Sequence, residues 1–577
     1  MNRRTKNPGT GSPPRAAASG PPADGSRRAP DGARPSAVII GCGISGLATA
    51  ALLARDGHEV DLIEAREELG GRAGSWERDG FRFDTGPSWY LMPEVFDHFL
   101  RLLGTSAEEE LDLRPLDPAY RVLCEGYEEP LDLRASAARN ADLFERIEPG
   151  AGLGLSRYLD SAASTYDMAL ERFLYTSYTS PRALLDRAVL ARAPQLLRLL
   201  AEPLDRFVAR RFQDPRLRQV LGYPAVFLGS SPDRTPSMYH LMSSLDLTGG
   251  VLYPQGGFAE LIDVVARLAA QHGARLHTGA RVTRILTEEP GEDRGAGSPD
   301  GRGPAPRRAP GRRAVARGVE LRTADGEVLE LRAEAVVATA DLHHVETELL
   351  PPHLRTFPET WWRRRTPGPG AVLVLLGVRG ALPQLAHHTL LFTRDWDENF
   401  GALRERRVPS PASSYVCRPS ATDPSVAPPG HENLFVLVPV PADASLGRGG
   451  VDGTGDPAVE AIAEEAISRL AEEAGIPDLA ERVVVRRTVG PGDFAADLGA
   501  WSGSMLGPAH TLRQSAFFRA RNASRRVEGL LYAGSSTLPG IGLPMCLISA
   551  ELVAKRLRGD RSSSPLPESE RVVGARE

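Results

Sequence analysis

The chain has 577 residues, too many for one hydrophobic core, so two or three domains are expected. Its 41% hydrophobic and 25% charged residues and formal net charge of -5 describe a globular protein without the basic surplus that nucleic acid demands, and no nucleic-acid partner is expected. Cys42, Cys124, Cys417 and Cys546 show no C-x-x-C spacing, which argues against a disulfide framework or structural zinc and fits a reducing, cytoplasmic compartment.

Residues 1–35 are rich in Pro, Gly, Ser, Ala and Arg and read as a disordered tail. Arg3-Arg4 has no apolar segment behind it, so export is not expected. Ala37-Val38-Ile39-Ile40 reads as a buried strand, Gly41 to Gly46 as a tight turn, Leu47 to Arg55 as a helix and Glu59 to Ile63 as a second strand, a βαβ opening. From about Ala141 to Phe212, Leu, Ala and Arg recur at helical spacing, broken by prolines, and a helical subdomain over 141–219 is expected. Its Arg-rich part, with Leu196, Leu197, Leu200 and Phe207, could lie on an anionic bilayer or pack within the subdomain. Apolar runs are too short to span a membrane, so any contact with one is peripheral.

Gly256-Gly257 then opens a helix at about Phe258 to Ala270, strands follow near Arg275 and Val282, and Asp325-Gly326 joins a hairpin leading to Val336–Thr339. The stretch from about Glu288 to Arg313 reads as a solvent loop, and residues 366–440 as a substrate-facing sheet. The whole is an α/β chain. A discontinuous Rossmann-type domain (36–100, 255–345, 488–560) is joined by a mixed-sheet substrate domain (101–140, 220–254, 346–487), the helical subdomain and a second disordered tail over 561–577.

Gly41-Cys42-Gly43-Ile44-Ser45-Gly46 matches G-x-G-x-x-G between strand and helix, where the glycines allow the turn, the approach of a pyrophosphate and close helix packing. Glu64, followed by Ala65 and Arg66, ends the second strand, where a carboxylate can accept both adenosine-ribose hydroxyls. Gly70-Gly71-Arg72 adds a second glycine pair and a guanidinium for phosphate, an addition that NAD-binding domains do not need. FAD is therefore the expected cofactor.

The blocks Val38–Ala50, Glu64–Ala73, Phe83–Pro87 and above all Tyr532–Pro544 resemble bacterial phytoene desaturases, carotenoid-acting members of the FAD-dependent amine-oxidase-like superfamily, over most of residues 36–557. The resemblance implies that Gly86, Pro87 and Ser88 pass near the flavin, that Val282 touches adenine, and that Gly534 and the Gly542, Leu543, Pro544, Met545 segment return to the isoalloxazine. The amides of a first helical turn there would stabilise reduced, anionic flavin. Leu538 stands where many relatives carry histidine, so no role transfers to that side chain.

Such an enzyme, peripherally membrane-associated, passes electrons from a hydrophobic carotenoid to quinone or oxygen; no motif specifies an oligomeric state. Tyr120 and Arg121 resemble a polar patch near the substrate cavity, with structural salt bridging as the alternative. No metal site is expected: His343-His344 and His387-His388 lack companion ligands and read as surface or capping residues. Alternatives are carotenoid isomerases, ketolases and retinol saturases, or an amine oxidase, for which the lysines Lys6 and Lys555 are poorly placed. A non-redox prenyl-binding escort is disfavoured by the intact Glu64, Gly71, Arg72 and Gly534, and a disulfide reductase by the lack of a second glycine motif and a redox cysteine pair.

Overall fold

The computed structural model describes residues 34–178, 191–289 and 313–568. Residues 1–33 and 569–577 of the two tails, 290–312 of the expected loop and 179–190 of the helical stretch lie outside the described residues.

Strand β1 (Ser36–Ile40) pairs in parallel with β2 (Glu59–Ile63) on one side and Ala335–Ala338 on the other. Arg275–His277 and Leu530–Tyr532 complete a five-stranded parallel sheet. Both faces of β1 are buried, Ala37 and Ile39 against helices and Val38 and Ile40 against a second layer, which is why the strand reads as an unbroken apolar run. Helix α1 (Ile44–Arg55) is apolar all round because it is wedged between this sheet and the helices Phe258–Gln271 and Leu543–Leu557. It begins at Ile44 rather than Leu47, since Gly46 and Leu47 N–H both donate to Gly43 O, at 2.9 and 3.0 Å. On the opposite face, the antiparallel strands Arg281–Glu288, Ala314–Arg322 and Val328–Arg332 form the covering layer.

A seven-stranded mixed sheet forms the second body, with Gly370–Arg379 second from one edge, between the edge strand Val483–Val489 and His431–Val440. Tyr120–Cys124 joins it in parallel beside His388–Phe392. Its long strands are buried on both faces, so their apolar runs carry no alternation that would give strand order.

Several boundaries move once packing is visible. Helices begin at Ala137, and Val220, Leu221, Tyr223 and Val251 share one core with Phe144 and Leu155 of the helical layer and with Tyr120, Val122 and Leu390 of the mixed sheet. Residues 346–362 pack under the parallel sheet through Phe357 and Trp362, whereas Phe494 and Ala500 pack on the mixed sheet. Phe207 is buried against Tyr158 and His240 instead of facing outward. Residues 561–568 are not a free tail: Leu566 is buried in the parallel-sheet core, and Lys555 Nζ donates to Ser562 O at 2.9 Å.

Candidate functional site

The carboxyl ends of the parallel strands open on one cavity of about 1080 Å³ that runs from the glycine turns to the helical layer. Gly41, with φ 101°, makes the turn after β1, and Thr339 Oγ1 ties it down by donating to Ile40 O (2.9 Å) and Gly41 O (2.8 Å). Gly46 does not line the cavity: a Cβ there would lie 1.9 Å from Gly41 O, so its glycine serves helix packing. Gly43, Ile44 and Ser45 do line it.

The two glycine motifs form one unit. Gly70 N–H donates to Cys42 O at 2.9 Å, and Gly71, with φ 57°, brings its own Cβ position within 3.3 Å of Gly43 Cα. Glu64 accepts from Cys42 N–H (2.8 Å) and Arg66 N–H (3.1 Å), bonds that aim its carboxylate across the crevice mouth. Ala65 and Val282 line the same end. Arg66 does not: its guanidinium bonds Glu68, and only its backbone serves the site.

Arg72 Nη2 pairs with Asp341 at 3.2 Å while its buried Nε has no partner. Gly86 is pressed onto Arg72, a Cβ there falling 1.9 Å from Arg72 O, and Pro87 and Ser88 continue along the wall. Ser88 Oγ meets Tyr415 OH at 2.6 Å, and that phenol meets His388 Nδ1 at 2.8 Å. Gly534 and the Gly542–Met545 turn close the far side. Gly542, with φ 114°, caps the helix Leu543–Leu557 and accepts from Cys546 N–H at 2.9 Å, so the amides of Leu543 and Met545 precede the first intrahelical bond.

Beyond these loops the wall is apolar, with Phe173, Leu174, Leu196, Leu200, Phe227 and Met238 among its residues. Leu197, beside them, is 66% exposed, and Phe518, next to the lining residue Phe517, is 54% exposed.

Residues 44–558 match the family described as flavin-containing amine oxidoreductases. The chain belongs to that family. It is 38% identical to a carotenoid 3,4-desaturase of Haloarcula japonica over 90% of this chain and 98% of the relative. It is 36% identical to a zeta-carotene-forming phytoene desaturase of Myxococcus xanthus, over 90% and 93%. Among solved structures, a putrescine oxidase with bound putrescine has a TM-score of 0.56 at 15% identity, covering 91% of this chain and 99% of that one, a likeness of fold.

The flavoprotein's residues fit FAD. Gly43 leaves its crevice side open, with nothing nearer its Cβ position than Gly70 O at 3.8 Å, Arg72 Nε is an orphaned buried donor in the same lining, and Glu64 adds a carboxylate to it. Asp341 and Thr339, which orient Arg72 and the first turn, were not singled out in the sequence; their position just past a parallel strand, Ala335–Ala338, is the signal that marks them.

Tyr120 and Arg121 stand back from the cavity wall. Tyr120 OH donates to Asp246 Oδ2 at 3.0 Å, as does Tyr223, which lines the cavity, and burial pushes the Asp246 carboxyl up to about 7. Arg121 makes a fork with Asp132 at 2.7 and 2.9 Å, the geometry of a structural ion pair. His387 and His388 are neither surface nor capping residues. They sit deep in the mixed sheet, where one ring nitrogen of each lies within 4.8 Å of the other and of Cys417 Sγ. Desolvation keeps both imidazoles neutral, His387 at about 3, and holds the Cys417 thiol at about 12. His343 Nε2 pairs with Glu359 at 2.7 Å, and Lys555 lies outside the cavity lining, its ammonium spent on backbone carbonyls.

Proposed function

We propose that this flavoprotein desaturates a long neutral polyene, phytoene or a closely related carotenoid precursor, towards neurosporene and lycopene. The observation that carries the reading is continuity: the dinucleotide crevice and a long apolar chamber are one cavity. A hydrocarbon without polar handles can be held in register only by such a shape. The relatives that desaturate carotenoids support the same substrate class.

FAD, when bound, supplies the hydride acceptor. The chain's own residues do the rest: Gly43, Arg72 and the first turn of Leu543–Leu557 hold the cofactor, and the Phe227, Leu196 and Leu200 walls exclude water and align the polyene. Removal of a hydride leaves positive charge on the polyene, which the rings of Tyr223 and Tyr415 on this wall can stabilise before the adjacent carbon loses its proton.

The exposed Leu197 and Phe518 beside the apolar end support a membrane-facing mouth there. Our reading is of a peripheral membrane protein of the cytoplasm that passes its electrons to quinone or oxygen. No helix among the described residues is long and apolar enough to cross a membrane. An amine oxidase reading loses ground because Lys555 stands outside the cavity.

The test is anaerobic incubation of FAD-loaded, liposome-associated protein with phytoene, following flavin bleaching and polyene absorption together. Bleaching with a lengthening chromophore is expected. Bound flavin that phytoene cannot bleach, but a more desaturated carotenoid can, would move the substrate along the series; bleaching by an amine alone would overturn the proposal. A Leu197→Glu/Phe518→Glu double variant should lose co-sedimentation with anionic vesicles and keep its bound flavin.

A further inference from the structure

Arg519 is a buried cation to which the described residues supply no anion. Only 4% of its surface is exposed. Its Nε donates to Thr537 O at 3.1 Å, and Nη1 to Gln514 O at 3.3 Å and Pro508 O at 3.4 Å. Nη2 donates to Pro508 O at 3.4 Å and also to Ser535 O. No carboxylate pairs with it among the described residues, and burial lowers its pKa only to about 10, which leaves it charged at neutral pH. A guanidinium facing carbonyl dipoles alone is costly to bury, and that cost falls when an anion occupies the space beside it.

The wall that the guanidinium braces separates it from the cofactor cavity. Ser535 and Leu538 on the turn it braces line the cavity, as do Tyr239 and His510, the neighbours that feel its charge. Cys546, in the first turn of the helix Leu543–Leu557, lies in the field of both Arg519 and Arg72. Burial keeps the His510 imidazole, the Tyr239 phenol and the Cys546 thiol neutral, so none offsets the guanidinium, and Arg72 already has Asp341.

We propose that Arg519 is the fixed counter-charge for the isoalloxazine of bound FAD, favouring the reduced, anionic ring over the oxidised, neutral one. A hydride brings two electrons and one proton to the ring and leaves it with one negative charge. The donor carbon is left as a cation, and the adjacent carbon then loses a proton to water as the new C=C bond forms. Arg519 is a positioning residue, acting through the Ser535–Leu538 wall, and it sets how readily the ring takes the hydride. The inference rests on the FAD assignment and not on which carotenoid is the substrate.

The measurement is the midpoint potential of the full-length, FAD-loaded protein, equilibrated with reference dyes across the neutral pH range. Wild type should fall by about 30 mV per pH unit, one proton per two electrons, because the reduced ring stays unprotonated beside the cation. Arg519→Gln should lose at least tenfold of its preference for reduced over oxidised FAD, a drop of about 30 mV or more, and steepen towards two protons, about 60 mV per pH unit. Arg519→Lys keeps the charge and should stay within about threefold of wild type, about 14 mV.

A wild-type slope of two protons would overturn the proposal. So would an Arg519→Gln protein that melts earlier or holds less FAD while its remaining flavin keeps the wild-type potential, the signature of packing alone. Should Arg519→Gln fail to fold, the wild-type slope and Arg519→Lys still decide. A chain that takes up no flavin would overturn the cofactor assignment as well, and is recognised by its missing visible absorption.

Discussion

Gly43 and Gly46 belong to one motif, yet the structure gives them separable tasks, and alanine at each should fail in a different way. A methyl at Gly46 would lie 1.9 Å from Gly41 O and 2.7 Å from Thr339 Oγ1. The Gly41–Cys42 peptide cannot retreat freely, because Gly41 O accepts from Thr339 Oγ1 and Cys42 N–H donates to Glu64, both at 2.8 Å. Overpacking of this kind costs about 1–3 kcal/mol, so Gly46→Ala should lose that much folding stability whether or not cofactor is bound. At Gly43, with φ -68° and ψ 171°, the backbone suits any residue, and the nearest atom to the new methyl is Gly70 O at 3.8 Å. Gly43→Ala should therefore leave the FAD-stripped protein unchanged or raise its stability by about 0.4–1 kcal/mol. Its methyl projects where the pyrophosphate must approach, and FAD binding should weaken by about 1–3 kcal/mol, roughly fivefold to 150-fold. Urea denaturation of FAD-stripped protein and quenching of FAD fluorescence on titration separate the two effects. Equal destabilisation of the stripped protein by both variants, or undiminished FAD affinity in Gly43→Ala, would refute this division of labour.

Glu64→Ala should weaken FAD binding by about 1.5–3 kcal/mol, roughly ten- to 150-fold, through loss of charge-assisted ribose contacts, with Glu64→Gln milder; calorimetric titration reads both. For Asp246, burial raises the folded-state pKa to about 7 from the ordinary carboxylate value of 3.8, so the folded chain binds the extra proton between those values. Its contribution to stability is full at acid pH and is lost as pH rises through about 7, on the order of a few kcal/mol. Asp246→Asn, which keeps an acceptor for Tyr120 and Tyr223, should flatten that fall in denaturation midpoints between about pH 5 and pH 8; an unchanged slope counts against it. Leu566→Ala should cost about 2 kcal/mol, because the side chain is buried in the parallel-sheet core; full stability in urea would mean that residues 561–568 do not hold as described.

The βαβ opening, Glu64 and the second glycine pair were legible because each depends on local chemistry: backbone freedom at glycine, an acid at a strand end, an apolar strand before a helix. The contact between Gly43 and Gly71, and the role of Asp341 in orienting Arg72, join segments up to 269 residues apart, which no window of sequence spans. The same holds for Tyr120 and Arg121: in sequence they are one polar pair on one strand, yet alternation sends Tyr120 inward to Asp246 and Arg121 outward to Asp132.

His387-His388 misled for a related reason, since burial depends on the strands stacked beside a residue, here Ser414–Cys417, and not on its own polarity. Residues 561–568 misled because a Pro- and Ser-rich composition says nothing of the single Leu566 that anchors them. Sequence by itself determined that this protein grips a dinucleotide, because that grip is written in short-range backbone geometry. Only the tertiary structure decided that the grip opens into an apolar chamber and that a buried guanidinium stands behind its wall, because cavities and uncompensated charges exist only where distant segments meet.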